Sequence, residues 1–465
     1  MLVDRYPYED VFARVPELAH QRDPVLEQID RLLDDDCLYA QVRADLGTRY
    51  PQTLADGRHS TPAEVLLRLV LVKHLYNWSY RETEGRVADR LVLRWFCRVY
   101  FQPVPDATTL LRWAHIIQPA TLQALNDRVV HLARHARVTT GRKLRIDGTA
   151  VQTAIDYPTD SGLLADGVRV LGRLIRRSKP LVQGALAGVP DAFRTRMRTM
   201  RRGLQTLHRL RRRQGDDHAA QRVAVYTKLV AATRATVTQA ERVRAALSGT
   251  KGAARAQAER RQAQFVRVLP LVRQVIHQTE RRVFAGESVP ASEKLVSLFE
   301  PHTRIVPRHK GGASVEFGRL VVIDEVEGGI VTRFAVLADQ TGEQGQLTPA
   351  LAHHQRLFGK APRLVTGDRG LHAAANEAVA HAAGVRHLVI PRSGKLTAAQ
   401  RADEHTRSWR RQYRWRAGIE GRLSSLRRDY GLRCCPDHGE AGLIRHVGWG
   451  IIASNLRHIG QKLAA

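Results

Sequence analysis

The stretch Arg142-Lys-Leu-Arg-Ile-Asp-Gly-Thr-Ala-Val-Gln-Thr153 decides the fold of this chain. Its aliphatic positions Leu144, Ile146 and Val151 are typical of a buried β-strand. One carboxylate, Asp147, interrupts them, and a buried carboxylate without a partner is strongly unfavourable. A structural aspartate that pairs with an arginine or caps a turn at Gly148 fits this pattern, and so does a carboxylate that binds a cation. The stretch alone leaves both interpretations open.

The length and charge of the chain indicate a multidomain protein with a polyanionic partner. With 465 residues, the chain is expected to form two or three domains. Its 74 Lys and Arg residues exceed its 45 Asp and Glu residues, which leaves a formal net charge of +29. Because basic side chains that neutralise phosphates release counterions, such an excess favours nucleic acid binding. Nucleic acid is therefore the expected partner.

The cysteines and the N-terminus indicate the compartment. The four cysteines, Cys37, Cys97, Cys434 and Cys435, form no Cys-x-x-Cys pair. This pattern argues against a zinc finger or a disulfide scaffold and favours a reducing compartment. The N-terminus does not resemble a signal peptide, and no apolar run reaches membrane length. We expect a soluble cytoplasmic protein, associated with the nucleoid, that has no membrane partner.

The first segment, residues 1–137, has the pattern of a helical DNA-binding domain. Helix starts are indicated by Thr61-Pro62, by Ser79 with Glu82 three residues later, and by Asp106. Several basic residues accompany these helices: Arg68, Lys73, Arg81, Arg86, Arg90, Arg94 and Arg98. A succession of short capped helices with basic side chains is typical of a helix-turn-helix-like domain. A plain helical bundle with a solvated basic surface is the alternative.

A long Arg- and Ala-rich segment, residues 161–299, is predicted to be a basic helical insertion. Val223, Tyr226, Val230 and Val237 recur at the spacing of one helix face. The segment also contains the cluster Arg209, Arg211, Arg212 and Arg213. Such a cluster is either a solvated surface or a surface that follows a phosphate backbone.

The remaining segments, residues 138–160 and 300–465, are predicted to form a mixed sheet flanked by helices. Residues 315–323 and 330–337 have the pattern of a β-hairpin. Asp324 and Glu325, near its turn, are expected to be solvated. A short strand at residues 363–366 leads to Asp368, and another strand is expected at residues 386–391. Helices are expected at residues 346–358 and 373–383, so that the fold class is α/β.

A long helix that begins near Arg407 is expected to carry a polar face of four side chains. Tyr413, Arg416, Glu420 and Arg427 lie at offsets of three, seven and fourteen residues, which places them on one side of a regular helix. Beside this face runs an apolar stripe of Ile419, Leu423, Leu426 and Tyr430. Because the stripe can pack on the sheet, Glu420 is expected to face a buried edge.

These residues resemble bacterial insertion-sequence DDE transposases of the IS-five-like type, which have a helical N-terminal domain and a Tyr-x2-Arg-x3-Glu-x6-Lys/Arg signature. The chain has Tyr413-x2-Arg416-x3-Glu420-x6-Arg427, with arginine where the family commonly has lysine. Ile146-Asp147-Gly-Thr resembles the strand of the first family aspartate, and Val365-Thr-Gly-Asp368-Arg-Gly resembles that of the second. Residues 58–113 resemble the N-terminal domain.

The resemblance implies a ribonuclease-H-like fold in which Asp147, Asp368 and Glu420 are the catalytic, metal-binding carboxylates. Neighbouring first and fourth strands, about 4.8 Å apart, would let the two aspartates approach one site. Converging carboxylates suit two Mg²⁺ ions, with Mn²⁺ as a substitute, about 3.5–4 Å apart. Asp339 is ranked as a structural or loop residue.

The other residues of the signature are expected to contact DNA. Arg416 and Arg427 would bind phosphates, because the guanidinium fork matches phosphate oxygens. Ion pairing with Glu420 is the alternative for these arginines. Tyr413 would either position the DNA strand or pack in the fold. Arg209, Arg211, Arg212 and Arg213 of the insertion complete the predicted DNA-binding residues.

The expected function is therefore that of a DNA transposase. Such an enzyme binds terminal inverted repeats, cleaves at the element ends and transfers the strands into target DNA. Because two ends must be brought together, we expect a homodimer or a larger assembly on DNA. Two alternatives stay open: a metal-dependent nuclease on the same fold, and an inactive or domesticated basic DNA-binding protein whose carboxylates are structural.

Overall fold

The computed structural model describes residues 1–50, 52, 60–211, 217–307, 315–338 and 342–465. The chain divides into two units. The first comprises residues Met1–Ala154 and Arg319–Ala465, and the second comprises residues Ile155–Gly318.

The described residues before position 138 form helices, in agreement with the sequence prediction. These are α1 Val11–Arg14, α2 Pro24–Leu33, α3 Asp36–Gly47, α4 Ala63–Leu75, α5 Tyr80–Asp89, α6 Leu91–Phe96, α7 Ala107–Ala114 and α8 Pro119–His135. Ser79 and Glu82 form a reciprocal capping box at the start of α5. The Asp106 side chain accepts hydrogen bonds from two backbone N–H groups at the start of α7. The predicted caps Ser79 and Asp106 are confirmed, and they satisfy N–H groups that have no partner within the helix. The predicted cap at Thr61 is wrong, because Pro62 precedes α4 and no side chain caps this helix.

Strand β1, Lys143–Thr153, follows the N-terminal helices, and the second unit begins directly after it. The second unit contains α9 Asp160–Val182, α10 Met197–Arg211, α11 Asp217–Leu247, α12 Arg255–Thr279 and β2 Arg304–Pro307. Helix α9 packs against α10, α11 and α12, and their aliphatic side chains form a separate hydrophobic core. The helical character predicted for the insertion is confirmed.

The chain continues through alternating strands and helices. These are β3 Val315–Val326, β4 Ile330–Val336, α13 Leu347–Phe358, β5 Leu364–Gly367, α14 Ala374–Ala382, β6 His387–Val389, α15 Ala398–His405, α16 Arg407–Arg416, α17 Gly418–Asp429, β7 Cys434–Cys435 and α18 Gly439–Ala464. The predicted hairpin is confirmed, because β3 and β4 pair antiparallel.

The sheet of the first unit has the order β3-β1-β5-β6, with β4 paired to β3 and β7 paired to β1. Strands β1, β5 and β6 are parallel. The register between β1 and β5 places Lys143 opposite Leu364 and Ile146 opposite Gly367. In the second unit, β2 pairs antiparallel with residues 315–318. The sheet is therefore mixed and accompanied by helices, as predicted for an α/β protein.

The C-terminal helix α18 connects the N-terminal helices with the sheet. It packs against α2, α4 and α8 and also against β4. Asn455 of α18 and Asn126 of α8 form a buried hydrogen-bond network with the backbone of β4, in which the amide nitrogen of Asn455 donates to Asn126 Oδ1 over 2.9 Å. This network satisfies polar groups that would be costly to bury alone. Among the described residues, no helix is both long and apolar enough to cross a membrane.

Several charged residues that were expected at the surface are buried. The sequence prediction for Asp324 and Glu325 is wrong: Asp324 pairs with Arg333 over 2.9 Å, and Glu325 pairs with Arg145 over 2.8 Å. Burial raises the pKa of Asp324 above its usual range, while Arg333 opposes this shift. Arginines on adjacent elements supply the charge that water would otherwise supply.

Among the basic residues of the N-terminal helices, Arg68, Lys73 and Arg98 are buried. Arg68 has no exposed side-chain surface and lies 2.5 Å from Asp30. Arg98 lies 3.0 Å from the same carboxylate. These arginines stabilise the helical bundle and are not on a DNA-binding surface, whereas Arg81, Arg86 and Arg90 are exposed.

The predicted long helix from Arg407 is interrupted, so the prediction of one continuous helix is wrong. Helix α16 ends at Arg416, and α17 begins at Gly418. Arg145 of β1 donates from Nη1 to the Trp415 carbonyl over 2.7 Å. Next to this contact, a Cβ on Gly418 would lie only 2.4 Å from Arg145 Nη1. The Arg145 side chain thus donates a hydrogen bond to a carbonyl of the last turn of α16, and the absence of a side chain on Gly418 leaves space for it.

Candidate active site

Asp147 and Asp368 lie side by side on neighbouring parallel strands, Asp147 within β1 and Asp368 directly after the end of β5. Each follows the last registered pair of β1 and β5, Ile146 and Gly367. Because side chains alternate along a strand, Asp147 points to the same face as Arg145 and away from the core residues Leu144 and Ile146. The two predicted aspartates therefore meet, as the adjacency of these strands implied.

The third carboxylate beside them is Glu343, which the sequence prediction missed. Asp147, Glu343 and Asp368 each offer an oxygen atom, and these atoms lie within 4.8 Å of one another. We call these three residues the carboxylate cluster. Glu343 begins a short 3-10 turn, Glu343–Gln346, that precedes α13. The cluster therefore joins the middle of β1 and the end of β5 to a connecting turn.

Two glycines leave space for the carboxylate cluster. A Cβ on Gly148 would lie 2.0 Å from Glu343 Oε1. A Cβ on Gly370 would lie 3.1 Å from Asp368 Oδ1 and 3.4 Å from Glu343 Oε2. Glycine at position 148 is thus required for Glu343 to approach β1 in this geometry.

The cluster favours protons or positive charge. Burial raises the pKa of Asp147, while Arg416 and the backbone N–H of Gly148 oppose this shift. Burial, followed by the charges of Asp368 and Asp147, raises the pKa of Glu343 to about 8. Like charges held together in a region of restricted solvation disfavour ionisation.

Arg416 supplies the positive charge beside Asp147. Its Nη2 atom lies 3.0 Å from Asp147 Oδ2, and its Nη1 atom lies 3.4 Å from Glu420 Oε1. Asp147 also accepts a hydrogen bond from the backbone N–H of Gly148 over 2.9 Å. Both structural roles considered for Asp147 are therefore present: it pairs with an arginine, and it binds the backbone at Gly148.

Glu420 lies at the edge of the site. Its side chain is 57% exposed, so the prediction that Glu420 faces a buried edge is wrong. Its charge contributes to the raised pKa of Asp147. It is linked to Asp147 through Arg416 and is not part of the carboxylate cluster found among the described residues. The apolar stripe beside it, Ile419, Leu423, Leu426 and Tyr430, is buried as predicted.

The other signature residues surround this site. The ring of Tyr413 stacks on Trp409 with centroids 4.8 Å apart, and the guanidinium carbon of Arg416 lies 6.0 Å from the Tyr413 ring. Arg427 is half-buried and donates to Thr149 Oγ1 of β1 over 3.4 Å. The Tyr413 ring therefore contacts both Trp409 and Arg416, and Arg427 is held near the strand that carries Asp147.

The remaining predicted residues belong to the second unit or lie outside the described residues. Arg209 and Arg211 are exposed on α10. Arg212, Arg213 and Asp339 lie outside the described residues, as does Arg58 at the start of the segment that resembles the N-terminal domain.

The carboxylate cluster meets the chemical requirements of a divalent cation site. Its potential ligands are carboxylate oxygens, which Mg²⁺ and Mn²⁺ prefer. Asp368 Oδ1 is buried and accepts no hydrogen bond from the described part of the chain. A buried carboxylate oxygen without a donor is well suited to bind a cation.

Comparison with protein families matches residues 13–115 to a family described as Transposase domain (DUF772). This match supports a transposase. It covers helices of the first unit from α2 to α7 and ends before β1, so it does not include the carboxylate cluster. Comparison with curated proteins and with solved structures gave no match.

Glu343 could have been found only by a weak signal in the sequence. It lies between Gly342 and Gly345, in the connection from the hairpin to α13. Neither helical nor strand periodicity singles out a residue in such a turn. The sole indication was that Glu343 is an acidic residue in the same connection as Asp339. Asp339 itself was predicted to be a structural or loop residue.

Proposed function

We propose that this protein is a DNA transposase that cleaves DNA at element ends and joins them to target DNA by a metal-dependent DDE mechanism on a ribonuclease-H-like fold. The observation that carries the proposal is the carboxylate cluster formed by Asp147 of β1, Asp368 after β5 and Glu343. The transposase-domain match of residues 13–115 and the net charge of +29 support it.

Asp147, Asp368 and Glu343 would hold Mg²⁺ or Mn²⁺, and Glu420 would complete the site. Because the Glu420 side chain is more than half exposed, it can change rotamer on a fast timescale and turn towards the aspartates. Bound cations would activate the attacking water or DNA 3′-hydroxyl and stabilise the leaving oxygen.

The arginines beside the cluster would position the DNA. Arg416 balances the charge of Asp147 and lies between it and Glu420, where a phosphate oxygen would replace a carboxylate as its partner. Arg427 would bind the backbone near Thr149. Tyr413 would keep Arg416 in place through its ring, which leaves strand positioning to the arginines.

The partners in this proposal are the terminal inverted repeats and a target duplex. Both ends must be held during one reaction, so the proposed active form is a homodimer or a larger assembly on DNA. The exposed arginines of the N-terminal helices, Arg81, Arg86 and Arg90, are available for duplex binding.

The test is a cleavage and joining assay on DNA from the flanks of the encoding gene, with Mg²⁺. The wild type is compared with Asp147→Asn, Asp368→Asn, Glu343→Gln and Glu420→Gln. We expect loss of both activities in the aspartate variants and in Glu420→Gln, and reduced activity in Glu343→Gln. Wild-type rates in all four variants would overturn the site.

The same assay separates the two alternatives. Metal-dependent cleavage without joining of a pre-cut end would indicate a nuclease. DNA binding without any metal-dependent cleavage would indicate a DNA-binding protein whose carboxylates are structural.

A further inference from the structure

The second unit contains a large open cleft lined by basic and aromatic side chains. The cleft has a volume of about 1350 Å³. Its lining includes Tyr157, Arg209, Arg211, Arg222, Tyr226 and Arg282, and we call it the insert cleft. Small-molecule pockets usually measure about 300–1,000 Å³. The size of the insert cleft therefore suits a segment of a polymer better than a compact metabolite.

The arginines on its rim carry positive charge that the described residues do not neutralise. Arg209, Arg211 and Arg222 are exposed. None of the three forms an ion pair with another described residue. Arg209 donates a hydrogen bond to the Gln205 carbonyl of its own helix. Helix α10, from Met197 to Arg211, contains no acidic residue. Within the described part of the chain, no acidic side chain neutralises these three guanidinium groups.

Many other arginines of the same unit are already paired. Arg234 lies 2.6 Å from Glu280, Arg255 lies 2.8 Å from Glu259, and Arg273 pairs with Glu241. Inside the cleft, Asp160 is the only acidic residue among the described lining residues, and Arg282 pairs with it over 2.8 Å. Other exposed arginines of the unit, such as Arg176, Arg201 and Arg267, also form no ion pair with a described residue. The cleft differs from those positions because it combines exposed arginines with aromatic side chains around one cavity.

The cleft also offers aromatic surface. Tyr157 is 76% exposed, although its ring contacts Phe317 edge to face at a centroid distance of 5.5 Å. Tyr226 is half-buried on the opposite helix, α11. Unpaired bases stack on exposed aromatic rings while basic grooves follow the phosphates. A base pair in a duplex does not present its face in this way.

We propose that the insert cleft binds single-stranded DNA, with phosphates on Arg209, Arg211 and Arg222 and a base on Tyr157. The choice of DNA over RNA rests on the proposed function, because a transposase exposes DNA strands when it cleaves. Binding in the cleft uses no residue of the carboxylate cluster and requires no divalent cation.

The test measures binding of fluorescein-labelled oligothymidine to the full-length protein in EDTA, over a series of salt concentrations. The variant replaces Arg209, Arg211 and Arg222 with glutamine. Each phosphate contact on a single strand contributes about 0.7 to the slope of log affinity against log salt. We therefore expect the slope to fall by about 2 and the affinity to drop at least tenfold.

The matched control replaces Arg234, Arg255 and Arg273 with glutamine. It removes the same charge from the same unit but takes ion-paired arginines, so we expect the slope to change by less than about 1. Equal effects in the two triple variants would show that only overall charge matters and would overturn the cleft assignment.

Two substitutions of Tyr157 test whether a base stacks on its ring. They also keep the proposal testable if the triple variant does not fold. We expect Tyr157→Ala to weaken oligothymidine binding about tenfold without changing the salt slope, and Tyr157→Phe to bind like the wild type. Wild-type affinity in Tyr157→Ala would overturn the stacking role. An equal loss of affinity for a blunt duplex would overturn the single-strand assignment.

The outcome is independent of catalysis. If Asp147→Asn binds oligothymidine in EDTA with the same salt dependence as the wild type, the cleft proposal is supported even when no cleavage is detected. If cleavage and joining proceed normally in the Arg209, Arg211 and Arg222 variant with unchanged binding, the proposed function stands and the cleft proposal falls.

Discussion

Arg416 Nη2 lies 3.0 Å from Asp147 Oδ2, at the point where strand β1 meets the carboxylate cluster. Asp147 is largely buried, and its carboxylate has two charged neighbours of its own sign, Asp368 and Glu420. Arg416 is therefore the group that makes an ionised Asp147 tolerable in the absence of any other cation. It connects the signature helix α16 to the first strand of the sheet.

We predict that Arg416→Ala lowers the free energy of unfolding by about 3 kcal/mol, because it leaves a buried carboxylate without its partner. Added Mg²⁺ should recover part of this loss if cations bind at the cluster. Urea unfolding with and without Mg²⁺ measures both effects. Arg414→Ala, an exposed neighbour on the same helix, should change stability by no more than about 0.5 kcal/mol. Equal stability of the two variants would contradict the prediction.

Glu343 should release a proton when a divalent cation binds. Its pKa of about 8 means that the carboxyl group is mostly protonated at pH 7, whereas a ligand must be ionised. Calorimetric titration with Mn²⁺ in two buffers of different ionisation heat should show proton release near pH 7, and affinity should rise as the pH approaches 8. Glu343→Gln should abolish this release. Buffer-independent heats in the wild type would refute the assignment.

The same pKa shift predicts a pH dependence of stability without cations. The folded state holds a proton that the unfolded state loses above about pH 4.5, so folding is favoured at low pH and this contribution disappears as the pH rises through 8. Glu343→Gln should therefore gain stability relative to the wild type between pH 4.5 and 8. Thermal melting in EDTA across this range measures the difference, and parallel curves would argue against a raised pKa.

Gly148→Ala should disrupt the cluster without removing a carboxylate. The added Cβ would lie 2.0 Å from Glu343 Oε1, so Glu343 must move away from the aspartates. We expect Mn²⁺ affinity to fall about tenfold or more while the fold is retained. Gly421→Ala is the control, because a Cβ there meets no atom within 4 Å and the position follows Glu420 directly. Similar Mn²⁺ affinities in both variants would exclude a role of Glu343 in binding.

Arg68→Ala should destabilise the first unit rather than weaken DNA binding alone. Its guanidinium contacts Asp30 at 2.5 Å and Asp34 at 3.2 Å from a fully buried position. Removing it breaks the buried pairs with Asp30 and Glu64 and leaves Asp30 with Arg98 as its remaining arginine. Breaking a buried ion pair typically costs about 3–5 kcal/mol. Chemical unfolding should show this loss, whereas exposed Arg81→Ala should unfold like the wild type. A DNA-binding defect in Arg68→Ala at unchanged stability would instead indicate a surface role.

Local patterns determined much of the fold. The capping residues Ser79 and Asp106 start helices as predicted, because a side-chain cap acts within three residues of the helix end. The hairpin of β3 and β4 and the helical insertion also follow from short-range periodicity. Asp147 and Asp368 were identified from their strands and from the family resemblance, and their strands are indeed neighbours.

The composition of the charged clusters depended on tertiary contacts. Asp324, Glu325 and Arg68 look like surface residues in the sequence, yet each is buried beside an oppositely charged side chain. The partners are Arg333, Arg145 and Asp30, respectively. The partner of Glu325 is 180 residues away in the chain, and Asp30 is 38 residues away from Arg68. A short stretch of sequence does not reveal a distant partner that makes such burial tolerable. Local sequence patterns therefore could not predict that these charged residues are buried.

The candidate site shows the same division. The sequence by itself determined two strand aspartates and an arginine-rich helical signature. Only the tertiary structure decided that Glu343 joins the aspartates, and that Arg145 binds the Trp415 carbonyl near the point where α16 ends. The reason is physical: caps and periodicity act over a few residues, whereas a carboxylate cluster and a side chain that binds a distant carbonyl depend on how the strands, turns and helices pack.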